Sequence, residues 1–170
     1  FLEGKYFNSS LVIWTTTPWT IPSNKAVAYN SKISYALYEV LETEDECWVK
    51  KNEKLMVAKT LINEVMEKAR VRKFSKICDV NSKDLINCNL SHPFKNLEGS
   101  DNFWNYKVPL IEGDHVTDDT GTGFVHTAPS HGIEDYEIFV KYGWTDKLTN
   151  NINEDSSFSK NVPFFASLQV

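Results

Sequence analysis

The sequence predicts a β-rich α+β domain: an antiparallel, barrel-like arrangement of strands with flanking helices. Three observations predict it. Short runs of β-branched and aromatic residues recur along the chain, and turn residues punctuate them. Only two segments carry a helical period, with no regular strand–helix alternation. At 170 residues, with 41% hydrophobic and 13% aromatic side chains, the chain suits one domain with enough large apolar groups to fill a core. It opens without Met and stops at Val170 without a closing signal, so 1–170 reads as a single domain excised from a larger protein.

Runs at 11–17, 26–29, 34–40, 47–49, 55–58, 74–80, 85–90 and 121–127 read as strands. Turns fall at Pro22-Ser23-Asn24, Asn30-Ser31, Glu98-Gly99-Ser100 and Glu112-Gly113-Asp114. The first helix covers 61–71. Leu61, Ile62, Val65, Met66 and Ala69 share an arc of about 140°, and Thr60 is placed to cap the N-terminus. No polar residue lies on the wrong side, so this helix reads as scaffold. The second covers 132–142 and ends at Gly143, a natural C′ residue. Ile133, Tyr136, Ile138, Phe139, Val140 and Tyr142 form its broad apolar arc, and Asp135 falls inside it. A carboxylate aimed at a core needs a partner or loses its charge. The polar stretch 149–159 reads as a loop.

Composition excludes several classes of function. Eighteen basic residues against 23 acidic ones give a net charge of −5, a poor balance for wrapping a phosphate backbone by electrostatics alone. No run is apolar and long enough to span a membrane, and no signal peptide is visible at the N-terminus. Cys47, Cys78 and Cys88 make neither a disulfide framework nor a paired metal knuckle, which fits a reducing cytoplasm. Cys88 and His92 have no second pair to complete a zinc site, so no metal is expected. The cluster Lys68, Arg70, Arg72, Lys73 and Lys76 reads as a solvated helix end or a weak contact for phosphates.

Two strings carry the chemistry. Trp14-Thr15-Thr16-Thr17-Pro18-Trp19-Thr20 puts three hydroxyls at a strand end, between two tryptophans. It is either a β-branched strand entering a Pro turn or a polar pocket floor with aromatic walls. The second string, 121–136, reads as strand, Pro turn and helix. Gly121 and Gly123 permit close backbone approach of a ligand or another strand. No Walker lysine follows, so a P-loop is rejected. His126 shares a face with Phe124 by alternation, which suits a satisfied core imidazole or a ligand contact. Asp135, in the first turn of its helix, either favours the helix dipole or serves a ligand.

Together the strings resemble the editing domain of isoleucyl-tRNA synthetase. The resemblance runs through WTTTPWTIPSNKAVAYN at 14–30, HPF at 92–94 and PLIEGDHVTDDTGTGFVHTAPSHGIEDY at 109–136. Valyl and leucyl relatives carry an arginine after two threonines, where this chain has Thr17 and Pro18; that favours the isoleucyl type. The resemblance implies a barrel-like fold and hydrolysis of valine wrongly attached to the isoleucine tRNA. Valine lacks one methylene, worth ~1–3 kcal/mol in an apolar pocket, a figure for which this enzyme family is itself the standard example. A second site that excludes the larger side chain supplies the missing discrimination.

The resemblance also implies roles. Asp135 would anchor the substrate's α-ammonium, a role that a carboxylate on a mostly apolar helix face also suits. Trp19 and His126 would shape the side-chain pocket, with His126 a steric gate against isoleucine. Thr15, Thr16 and Thr17 would offer hydroxyls to the ester, the terminal adenosine or the attacking water. Asn24 matches a ligand-facing position, although an Asx turn explains it equally. No protein nucleophile is needed if a water is positioned and the oxyanion stabilised. The implied partners are the acceptor 3′ end of tRNA(Ile), the mischarged valine and the rest of an ATP-dependent ligase chain. No cofactor and no membrane are implied. The alternatives are a non-catalytic barrel that binds a tRNA end or an amino acid, and a valyl-type domain that removes a threonyl ester.

Overall fold

The computed structural model describes Tyr6, residues 8–86 and residues 88–170. In chain order the strands are β1 Ser9–Leu11, β2 Ala26–Tyr29, β3 Tyr35–Thr43, β4 Lys54–Ala58, β5 Val71–Val80, β6 Asn89–Ser91, β7 Lys107–Glu112 and β8 Val125–Thr127. The helices are α1 Ile62–Lys68, α2 Ser82–Leu85 and α3 Ile133–Lys141, with 3₁₀ turns at Pro18–Ser23 and Thr145–Lys147. Two four-stranded sheets result, ordered β1-β4-β3-β5 and β6-β7-β2-β8.

The strand-rich α+β class holds. The sheets are mixed rather than uniformly antiparallel: β1 pairs β4 and β2 pairs β7 in parallel. A parallel pair needs a long crossover. Here the chain between β2 and β7 supplies one by building β3, β4 and β5 of the other sheet. The two sheets stay separate and do not close into one barrel.

The core follows from side-chain alternation. Every residue of β2 is buried. Val27 and Tyr29 face the main core, which both sheets share with α1. Ala26 and Ala28 face the opposite way, against Ile111, Ile138 and Phe139. The second sheet is therefore covered on both sides, by the first sheet and by α3. A third cluster joins Trp104, Phe158 and Val162.

Several elements differ from the sequence reading. The run 11–17 is a strand only as far as Leu11, because Pro18 opens a 3₁₀ turn. Residues 47–49 form no strand, with a bend at 48–49. The 85–90 run is divided between the end of α2 and the start of β6, and its residue 87 lies outside the described residues. Strand β7 was not expected, since Pro109 interrupts its apolar run. The proline is tolerated because pairing with β2 begins one residue later, at Leu110. Thr60 does not cap α1; Leu61 holds that position, and the Thr60 hydroxyl donates to the Asp118 carboxylate at 3.1 Å. Residues 149–159 are not a bare loop, for Ile152 bridges Phe158 and Phe158 enters the third cluster.

Helix α3 buries less than its wheel suggests. Ile138 and Phe139 are buried, whereas Ile133 is 76% exposed, and Tyr136, Val140 and Tyr142 are exposed as well. Gly143 ends it with φ +68°. Among the described residues no helix is long and apolar enough to cross a membrane.

Candidate functional site

The threonine string continues into the 3₁₀ turn because its two prolines cannot enter an α-helix interior. Backbone bonds from Thr20 N–H to the Thr17 carbonyl and from Asn24 N–H to the Ile21 carbonyl, each 3.0 Å, define the tighter winding. Three residues per turn set Thr17, Thr20 and Ser23 in one row. The hydroxyls of Thr15 and Thr17 lie 3.2 Å apart, and those of Thr17 and Thr20 lie 3.5 Å apart.

Imidazoles meet this row. His126 on β8 lies opposite Val27 and turns toward the space between the sheets. Its Nε2 is 2.9 Å from Thr20 Oγ1, and its Nδ1 is 2.7 Å from Asn24 Oδ1. Beyond β8, His131 Nε2 sits 3.1 Å from Ser23 Oγ. Burial, with His131 nearby, lowers the His126 pKa to about 4, and burial likewise lowers that of His131. His126 is thus a neutral ring at neutral pH.

Its proton has two consistent placements. With the proton on Nδ1 it is donated to Asn24 Oδ1, and Nε2 accepts from Thr20. With the proton on Nε2 it is donated to Thr20, which then donates to the Thr17 carbonyl at 2.8 Å; Asn24 must present its amide nitrogen. The threonine row and the imidazole therefore share a proton arrangement.

Asp135 stands in the first turn of α3 and accepts the Ala128 N–H at Oδ2, 2.8 Å away. This bond ties α3 to the chain leaving β8. Burial raises the Asp135 pKa, against the opposing effect of the Ala128 bond and of His115. A half-buried carboxylate with one backbone donor keeps capacity for a cation.

The two glycines differ. Both have left-handed backbones, with φ +77° at Gly121 and +80° at Gly123. A Cβ on Gly123 would stand 2.5 Å from the Ala58 Cβ, so this close approach is to strand β4. A Cβ on Gly121 would meet only the Trp14 Cβ, at 3.7 Å. Both glycines line a cavity of about 310 Å³ with Trp14 and His115.

A larger cavity of about 590 Å³ opens between the sheets. Leu11, Val27 and Leu90 line it, with Asn24, His92 and His126 as polar groups. Asp135, Trp19 and Thr15 to Thr17 are not in its lining. Trp19 is 42% exposed, and Thr16 is exposed too. The structure thus joins Thr15, Thr17, Asn24 and His126 by hydrogen bonds and seats Asp135 separately on Ala128. The sequence reading passed over Thr20, Ser23 and His131, which complete the array. The three-residue spacing of hydroxyls between prolines was the available signal.

In sequence the chain is 39% identical over 170 residues to the isoleucine–tRNA ligase of Rhodopseudomonas palustris, covering 96% of this chain. It is 40% identical over 166 residues to that of Caulobacter vibrioides, covering 95%. The chain spans only 17% and 16% of the length of these relatives. No protein-family model matches it. In fold it is similar to the editing domain of cytosolic leucyl-tRNA synthetase from P. falciparum, with a TM-score of 0.59, 10% identity, and 87% of this chain and 57% of that one covered. The corresponding P. knowlesi domain gives a TM-score of 0.56 at 10% identity, covering 81% of this chain and 54% of the other. The chain thus matches a segment of isoleucine–tRNA ligases in sequence and shares its fold with the editing domains of leucyl-tRNA synthetases.

Proposed function

We propose that this domain hydrolyses valine wrongly esterified to the isoleucine tRNA. The observation that supports it most is the 2.9 Å contact between Thr20 and His126, which joins the threonine string to the second string through one polar array. The substrate is an amino-acid ester on the terminal ribose, with a free α-ammonium. Asp135 takes the ammonium. Thr15, Thr16 and Thr17 supply hydroxyls near the ester. Trp19, exposed beside them, gives the apolar side chain a flat surface, and Gly121 lets the backbone of its turn come close to the substrate.

His126 is neutral and hydrogen-bonded on both nitrogens, which suits a fixed wall better than a general base. As a wall it admits an isopropyl group and excludes a sec-butyl group. Water is the nucleophile. Its attack needs a positioned ester and donors for the developing oxyanion, so the chain's own groups suffice without a cofactor. The partners in this reading are the acceptor 3′ end of tRNA(Ile), the mischarged valine and the rest of the synthetase chain, working in the cytoplasm. With a net charge of −5, the domain receives only the single-stranded end, and the tRNA body is held elsewhere.

The test is deacylation by the full synthetase of tRNA(Ile) carrying valine, isoleucine or threonine. Preferential loss of the valyl ester is expected. Equal rates for valyl and isoleucyl esters, or binding without hydrolysis, would overturn the reading.

A further inference from the structure

The 3₁₀ turn that carries Thr20 and Ser23 and ends at Asn24 has a second side, formed by its backbone carbonyls. There its carbonyls receive side-chain donors from distant parts of the chain. His92 Nε2 donates to the Ile21 carbonyl at 3.0 Å. Trp104 Nε1 donates to the Pro22 carbonyl at 3.0 Å, and Asn151 Nδ2 reaches the same oxygen at 3.3 Å. Tyr106 donates its hydroxyl to the Asn24 carbonyl at 2.9 Å. His92 and Trp104 are stacked, 5.8 Å apart and 13° from parallel, and both are fully buried.

One tautomer serves this arrangement. His92 Nδ1 accepts the Phe94 N–H at 3.1 Å, which leaves the proton on Nε2 for Ile21. Pro18 and Pro22 have no N–H, so the turn has few backbone bonds with which to hold its own shape. Donors from outside must fix it. The hydroxyl row faces His126 and His131, while the carbonyls face His92 and Trp104.

The geometry points to His92 and Trp104 as positioning residues for the editing reaction: by gripping the Ile21 and Pro22 carbonyls they set the distance from Thr20 and Asn24 to His126. This rests on the editing reading above and extends it to a pair of residues that act through the turn rather than on the ester. A turn released on the carbonyl side lets Asn24 and Thr20 drift from the imidazole. Catalysis and discrimination then fall together, because the gate ring is held by those two residues.

The experiment uses the full synthetase with His92→Leu, His92→Gln and Trp104→Phe. The glutamine amide can reach the position of Nε2, and the phenyl ring keeps the packing without the N–H. Three quantities are read: kcat for the valyl ester, the valyl-to-isoleucyl rate ratio, and hydrogen exchange of the amides in 19–25. His92→Leu is expected to lower kcat about tenfold or more, narrow the ratio and speed exchange. His92→Gln should return all three to within about threefold of wild type, and Trp104→Phe should fall between. Unchanged rates, ratio and exchange in His92→Leu and Trp104→Phe would overturn the proposal. So would an equal loss in the Leu and Gln variants, since packing alone would then explain it. If the wild-type enzyme attacks neither ester, the editing reading fails; exchange alone then decides, and unchanged protection of 19–25 overturns the grip.

Discussion

His126 Nε2 and Thr20 Oγ1 lie 2.9 Å apart, although 106 residues separate them in the chain. That contact brings the end of the threonine string against the ring on β8. It also gives His126 a structural role beside the gate proposed for it, since both ring nitrogens are engaged in a buried setting.

His126→Ala should therefore have two effects. Removing the wall should raise attack on the correctly charged isoleucyl ester by about tenfold or more, the order of one-methylene discrimination. It should also leave Asn24 and Thr20 without their partner and cost about 1–3 kcal/mol of stability. Deacylation of the two esters and urea unfolding measure these. Unaltered discrimination would contradict the gate.

Asp135→Asn keeps an oxygen for the Ala128 N–H but loses the charge. The fold should survive, and valyl-ester deacylation should fall on the order of 100-fold, as for removal of one partner of a buried charge pair. The pH dependence has a definite sign. The folded pKa is raised, so the native carboxyl holds its proton to higher pH than the unfolded one, and ionisation as pH rises opposes folding. Activity runs the other way, because the anchor must be charged. The kcat/KM profile should drop on acidification at a pH above the usual carboxylate range near 4, and the acid limb should vanish in the Asn variant.

His92 and His126 both have pKa values lowered by burial to about 4 from 6.5. Between those values the unfolded state binds more protons than the native one, so stability rises with pH. The contribution is full above about pH 6.5 and is lost as pH falls toward 4, on the order of 3 kcal/mol per residue at about 1.4 kcal/mol per unit. Denaturant unfolding from pH 7 to 4.5 should show this slope, and His92→Gln should flatten part of it. A flat wild-type curve would refute the assignment.

The two glycines should respond unequally. Gly123→Ala meets the Ala58 Cβ at 2.5 Å and a backbone at φ +80°, so a loss of about 2–4 kcal/mol is expected. Gly121→Ala has the same backbone strain but an open neighbour at 3.7 Å, and should cost about 1–2 kcal/mol. Equal thermal shifts would argue against close packing on β4.

Much of the frame was legible in local sequence. Strand 26–29 was read at its observed bounds, and both main helices were placed. Their signals are local: β-branched runs, a 3.6-residue period and Gly143 as a stop. Pro109 hid β7 because a proline argues against a strand until its neighbours are known. The motif strings marked Thr15 to Thr17, Asn24, His126 and Asp135, yet Thr20 and Ser23 were passed over, since a 3₁₀ row is invisible to a search for strands and α-helices.

By itself the sequence determined the strand-rich class, the amphipathic scaffold helix and the two strings that mark the family, because these depend on neighbours along the chain. Tertiary structure decided the parallel pairings, the division into two sheets, the turn that aligns the hydroxyls and the neutral state of His126. Each of those depends on groups remote in sequence becoming adjacent and losing water together, which no local pattern records.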